Sequence, residues 1–363
     1  MQGTTSMKLL TPGPVPLPEA VAEAMALQPL HHHSQEFLEI ASMCWKGLQQ
    51  IVGTTQPVLL IGGSATVGIE AAVQTVHGTG AHVAVISHGH FGQRIVSLVS
   101  RCCSAITVHE VPWGDTFTVD QIETIFKNIS KPDAIWMVQS ETSTGVTLDL
   151  DAIVPQIRSV WPDALICIDA VTGIGIHRFE FDTLGADVVV AGSQKGLLSP
   201  PGLAAVALSK RAWDAAAASS QASSLSLNLF RVLEAYQKGR FSWTPPVTLV
   251  RALSVAVDLI LKRGLPSTWT HHEHLTEFLH QELRQRHFEI FGKATSHAVT
   301  VVKVNNAPTI IHRLAHEHGF VVAGGHEELQ SSVLRIGTCG AVSREDLAEC
   351  CSALDHTIHQ SRV

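Results

Sequence analysis

Short, continuously apolar runs rich in β-branched residues alternate with amphipathic stretches through the first two thirds of the chain. The runs predict strands at Val58–Ile61, His82–Ile86, Ala105–Val111, Ala134–Val138, Ala164–Ile168, Ala186–Ala191 and Ala204–Leu208. Between them, Val67–His77, Gly92–Cys102, Val119–Phe126 and Leu150–Val160 carry helical spacing. Strands apolar on both faces, separated by helices, predict an α/β fold: a mostly parallel sheet covered on both sides. Each strand-to-helix loop then falls at the carboxyl edge of the sheet, where ligands bind in such folds.

The pattern changes near Trp243-Thr244-Pro245-Pro246, a hard punctuation. Helical Thr248–Lys262, helical His274–Arg286, strand-like Ala298–Val304, helical Ala307–His318 and strand-like Ser332–Ile336 follow, a smaller α+β unit. Prolines at 12, 14, 16 and 18 make the start an extended arm. The expected division is an arm over 1–18, a large cofactor-binding domain over 19–246 and a small C-terminal domain over 247–363. Ala215–Ser224, rich in Ala and Ser, reads as a mobile surface segment.

Net charge is −7, with 25 basic and 32 acidic residues and no basic block, which gives no reason to expect a nucleic-acid partner. No apolar run is long enough for a membrane span, and the start lacks a secretion signal, so a soluble cytoplasmic protein is expected. The seven cysteines are odd in number and lack CxxC spacing, as expected of reduced thiols. Among the 21 histidines, His312 and His316 have i, i+4 spacing, but no second ligand pair accompanies them, so no metal site is expected.

One predicted strand ends at Asp169 and another near Ser193-Gln194-Lys195, placing a carboxylate and an amine at one ligand edge. Pyridoxal chemistry needs such a pair: the lysine forms a Schiff base, and the carboxylate keeps the pyridine nitrogen protonated. A structural salt bridge would use the same two residues. Gly62-Gly63-Ser64-Ala65-Thr66, between a strand and a helix, suits a phosphate. It matches neither the Walker pattern nor the dinucleotide fingerprint.

In order along the chain, Leu10-Thr11-Pro12-Gly13-Pro14, Glu141-Thr142-Ser143-Thr144-Gly145, Asp169-Ala170-Val171, Gly192-Ser193-Gln194-Lys195-Gly196, Pro200-Pro201-Gly202, Trp243-Thr244-Pro245-Pro246 and Leu334-Arg335-Ile336-Gly337 resemble the class V aminotransferases, in their alanine–glyoxylate and serine–pyruvate branch. The resemblance implies fold type I (aspartate aminotransferase-like), pyridoxal 5'-phosphate, and a homodimer with active sites at the interface. It implies that Lys195 is the Schiff-base lysine and proton carrier, and that Asp169 is the pyridine partner. Val171 and Phe91 would pack on the two ring faces. Ser64, Ala65 and Thr66 would take the phosphate with Gln194 nearby, and Thr142 would meet the ring substituents. Thr244 would reach the neighbouring subunit's phosphate, and Arg335 would grip the substrate carboxylate. Transamination between a small amino acid (alanine or serine) and a small 2-oxo acid (glyoxylate or pyruvate) follows.

The chain departs from the family pattern at Phe241, where a tyrosine is usual, at Ala65, often glycine, and at His33, often arginine. Cys339 keeps open a cysteine desulfurase-like lyase, although such enzymes carry a histidine where this chain has Gln194. A catalytically silent dimeric binding protein of the same fold is a second alternative.

Overall fold

The computed structural model describes residues 7–78, 80–128, 130–219 and 224–360. Seven strands form the main sheet: β1 (Val58–Gly62), β2 (His82–Ser87), β3 (Ala105–Glu110), β4 (Ala134–Val138), β5 (Leu165–Asp169), β6 (Val188–Gly192) and β7 (Leu203–Leu208). Their spatial order is β1-β7-β6-β5-β4-β2-β3, and only β7 runs antiparallel to its neighbours.

Alternate residues of each central strand feed two separate cores. Val58, Leu60, Ile135, Met137, Ile166 and Ile168 face one layer of helices. Leu59, Ile61, Ala134, Trp136, Leu165 and Cys167 face the other. This is why these strands are apolar throughout. Each large side chain so buried contributes roughly 1.5–3 kcal/mol.

The strand ends differ from expectation by a residue or two. β5 runs to Asp169 and β6 to Gly192, so the chemistry-bearing residues leave directly from the sheet edge. The helix expected at Gly92–Cys102 spans His90–Val99 instead. Its early start has a local cause: the Glu141 carboxylate accepts the Phe91 and Gly92 amides at 2.9 and 3.1 Å, satisfying N–H groups that a helix leaves open. The long helix Gln35–Val52, absent from the sequence reading, is capped by Ser34, which accepts from Phe37 N–H at 3.3 Å. Of the Ala/Ser-rich segment, residues up to Ser219 complete the helix Lys210–Ser219, and 220–223 lie outside the described residues.

The C-terminal part builds its own sheet from β8 (Val299–Lys303), β9 (Ala323–Gly324) and β10 (Val333–Gly337), ordered β8-β10-β9 and antiparallel. Its core includes Leu279, Leu283, Val302, Leu314, Leu334 and Leu354. The arm is stitched to this part: Leu10 N–H donates to Val321 O, and Gly337 N–H to Leu10 O, both at 2.8 Å. Among the described residues, no helix is long and apolar enough to cross a membrane.

Candidate active site

Lys195 lies three residues beyond β6, in the turn that returns the chain to β7. Its Nζ donates to Pro12 O at 2.6 Å, so the arm crosses directly over the amine. Close approach requires glycine at 13: a Cβ there would meet Lys195 Nζ at 2.6 Å, and its φ is +123°. Burial lowers the Lys195 pKa, and the nearby Arg335 and Arg94 charges push the same way. A larger neutral fraction makes the amine a better nucleophile.

Asp169, only 6% exposed, ends the neighbouring strand β5. Its Oδ1 accepts from Val171 N–H at 2.9 Å. Burial raises its pKa to about 6. Among the described residues no cation pairs with it within ion-pair distance. A buried carboxylate left this way suits a cationic partner such as a protonated ring nitrogen.

The Ser64-Ala65-Thr66 segment opens the helix Ala65–Val76. The Ser64 side chain makes no capping bond to that helix, which leaves its first N–H groups available to an anion. Gly63 holds φ +146°, turning the chain sharply out of β1. Ala65, Val171 and Gln194, from three separate segments, converge around Gly192: a Cβ there would lie 3.3 Å from Ala65 Cβ, 3.1 Å from Val171 Cγ1 and 3.2 Å from Gln194 Oε1. Gln194 Oε1 is buried without a protein partner. The open helix end and the unpaired Asp169 fit a phosphorylated pyridine cofactor.

Arg335, 8% exposed, projects from β10. Its Nε donates to Gly324 O at 2.6 Å and its Nη1 to Thr142 O at 3.0 Å. No carboxylate pairs with it among the described residues, and burial lowers its pKa to about 10. Thr142 is buried and holds this arginine through its carbonyl. Phe91 begins the helix His90–Val99, with the Arg94 guanidinium 4.7 Å from its ring centroid.

Thr244 stands apart from this group. It is exposed and lines a separate cavity of about 170 Å³ with Ile61, Gly62 and Phe241. The Phe241 ring packs inward, 5.0 Å from Trp45 and 5.8 Å from Phe37 between centroids. Cys339 is fully buried and its thiol is pushed up to about 11, the opposite of an exposed nucleophile on a loop. The His312 and His316 rings lie 4.0 Å apart between centroids, tilted by 33°, on an exposed helix face, and no described group of three side chains is arranged to hold a metal.

Sequence reasoning passed over Glu141 as more than a motif letter, and over Arg94, His90 and His326 beside Phe91. Glu141 is fully buried, and its carboxylate is spent on the amides of Phe91, Gly92 and Ser143 and on the Ser143 hydroxyl. An acidic residue on a short hairpin carries no pattern that announces such a role. His326 is brought to Phe91 only by tertiary folding.

The family model described as "Aminotransferase class-V" matches residues 17–348. The chain is 31% identical over 355 residues to the "Soluble hydrogenase 42 kDa subunit" of Anabaena cylindrica, covering 96% of this chain and 92% of that protein. It is 30% identical over 360 residues to "Alanine--glyoxylate aminotransferase 1" of Saccharomyces cerevisiae, covering 92% of each. A crystal structure of an alanine–glyoxylate aminotransferase from Nostoc sp. superposes with a TM-score of 0.92 at 26% identity, over 98% of this chain and 96% of the other.

Proposed function

The chain belongs to the class-V aminotransferases, and from that premise we propose that it moves the amino group of alanine or serine to glyoxylate or pyruvate, with pyridoxal 5'-phosphate carried on Lys195. Members of this family depend on pyridoxal phosphate in general. The observation that carries the substrate reading is Arg335: a buried guanidinium whose donors meet only carbonyls and which lacks an acidic partner among the described residues. A substrate carboxylate supplies that partner as a charge-assisted pair.

Ser64, Ala65 and Thr66 would take the phosphate, with Gln194 beside it, Phe91 and Val171 against the ring, Thr142 near its substituents and Asp169 on its nitrogen. When bound, the cofactor supplies an aldehyde that accepts an amino group and a ring that withdraws electron density. Lys195 would hold the cofactor through its amine, and the same amine, when free, would accept and return the proton of the substrate's α-carbon. Asp169 would keep the ring nitrogen protonated by placing a negative charge where water is excluded. Arg335 orients the α-carboxylate so that the α-hydrogen meets the Lys195 amine. Thr244, exposed on the single chain, would complete the phosphate site of a second subunit, which makes the working unit a homodimer.

A panel of amino donors against glyoxylate and pyruvate, followed as keto-acid formation, tests this reading. Alanine or serine should give the fastest turnover with one of these acceptors. Turnover confined to other donors would overturn the substrate assignment and leave the family membership intact.

A further inference from the structure

The loop between β9 and β10 carries one imidazole to the rim of this site. Leu329 anchors the loop among Val301 and Val333, and Arg335 grips its root at Gly324 O. Glu327 sits in the left-handed region, φ +47°, a conformation that side chains adopt at a cost. That conformation places its Oε1 2.8 Å from Nδ1 of His90, across the gap from the C-terminal part to the main sheet.

The neighbouring contacts fix the role of each ring. Arg94, having only N–H groups, donates to His90 Nε2 at 3.3 Å, so the His90 proton lies on Nδ1 and is given to Glu327. Both His90 nitrogens are occupied. His326 stacks on this fixed ring, centroids 4.4 Å apart and planes within 8°, and meets the Phe91 edge at 5.8 Å in a T-shape. Neither nitrogen of His326 has a hydrogen-bond partner among the described residues, although the residue is only partly exposed. Burial, with the nearby Arg335 and Arg94 charges, lowers its pKa to about 4, so at neutral pH it offers one donor and one acceptor.

We propose that His326 is a specificity-determining residue that hydrogen-bonds the side-chain hydroxyl of a β-hydroxy amino donor while Arg335 holds its α-carboxylate. The inference rests on the reading of Arg335 and Lys195 given above. A hydroxyl is itself donor and acceptor and so complements a neutral imidazole. A methyl side chain would close the site over an unpartnered ring nitrogen, and a site built to bond a hydroxyl rejects the analogue lacking it.

The test compares kcat/KM for L-serine, L-alanine and L-aspartate in wild type, His326→Leu and His326→Gln. Wild type should prefer serine to alanine, and His326→Leu should lower that ratio by about tenfold, through a higher KM for serine and a lower KM for alanine. His326→Gln, which retains a donor and an acceptor, should restore most of the ratio. Dissociation constants of serine and alanine for cofactor-loaded Lys195→Ala, with and without His326→Leu, read the same preference without turnover. An unchanged ratio, an equal loss for both donors, or an aspartate preference that depends on His326 would each overturn the proposal. Failure of all three donors to turn over, with the binding preference for serine intact, would instead count against the transamination reading alone.

Discussion

The floor and the wall of the site are built in different ways. Asp169 and Lys195 leave adjacent central strands whose residues are buried on both faces, so the cores that fold the sheet also place the chemistry. Arg335, Phe91 and His326 come from the C-terminal sheet, a helix start and a loop, and are held by carbonyls, ring stacking and the hydrogen bond from His90 to Glu327. A position inherited from a packed core resists local change. A position assembled from polar contacts can be retuned by one substitution. The floor should therefore govern whether the reaction occurs, and the wall should govern which molecule reacts.

Four substitutions probe this contrast, beginning with the largest effect. Lys195→Ala should lower kcat by at least ~10³-fold for every donor, since general acid–base catalysis alone is worth about 10²–10⁴. Melting temperature should stay near that of wild type, and more than trace activity would break the assignment. Asp169→Asn keeps shape and removes charge, so kcat should fall ~10²-fold or more with smaller loss of cofactor in dialysis. An unchanged kcat would mean that Asp169 is not the pyridine partner.

Arg335→Ala addresses the wall. KM for amino acids should rise by about 30-fold or more, since losing a desolvated carboxylate partner costs ~2–5 kcal/mol. Amines without a carboxylate should be nearly unaffected, and an equal loss for both would indicate structural damage. Phe241→Tyr should have the smallest effect. The ring is fixed against Trp45 and Phe37 beside Thr244, and an added hydroxyl should slow cofactor release by about tenfold, one charge-assisted bond to phosphate. Amino-acid preference should not move. Release as fast as wild type would mean that Phe241 does not face the phosphate.

The same contrast explains what could be read from the sequence. The inner strands were legible because a strand buried on both faces is apolar at nearly every position, whereas the edge strand β3 is largely exposed and carries Thr107, His109 and Glu110; Asp169 and Lys195 were legible because they end or follow apolar runs. Their ends were less clear, since Gly62, Ser87 and Gly192 join the ladder without an apolar side chain. The Gln35–Val52 helix escaped because its apolar positions are interleaved with Glu36, Glu39, Gln49 and Gln50, and its Ser34 cap lies beside a histidine cluster. Arg335 was identified through its motif, but its lack of an acidic partner is a property of the fold. His326 lies on a loop of Gly, Glu and Gln, and nothing local marks it as a neighbour of Phe91 across more than two hundred positions.

The amine on the β6–β7 turn, beneath Pro12 O, is the group that should carry the cofactor. Borohydride reduction fixes a lysine-bound aldehyde cofactor permanently, and peptide mapping by mass then reports the residue. One pyridoxyl-phosphate adduct per chain is expected, on the peptide containing Lys195, accompanied by loss of the visible absorbance band and of activity. A cofactor-loaded protein whose adduct lies on another lysine, or which forms none, would contradict it.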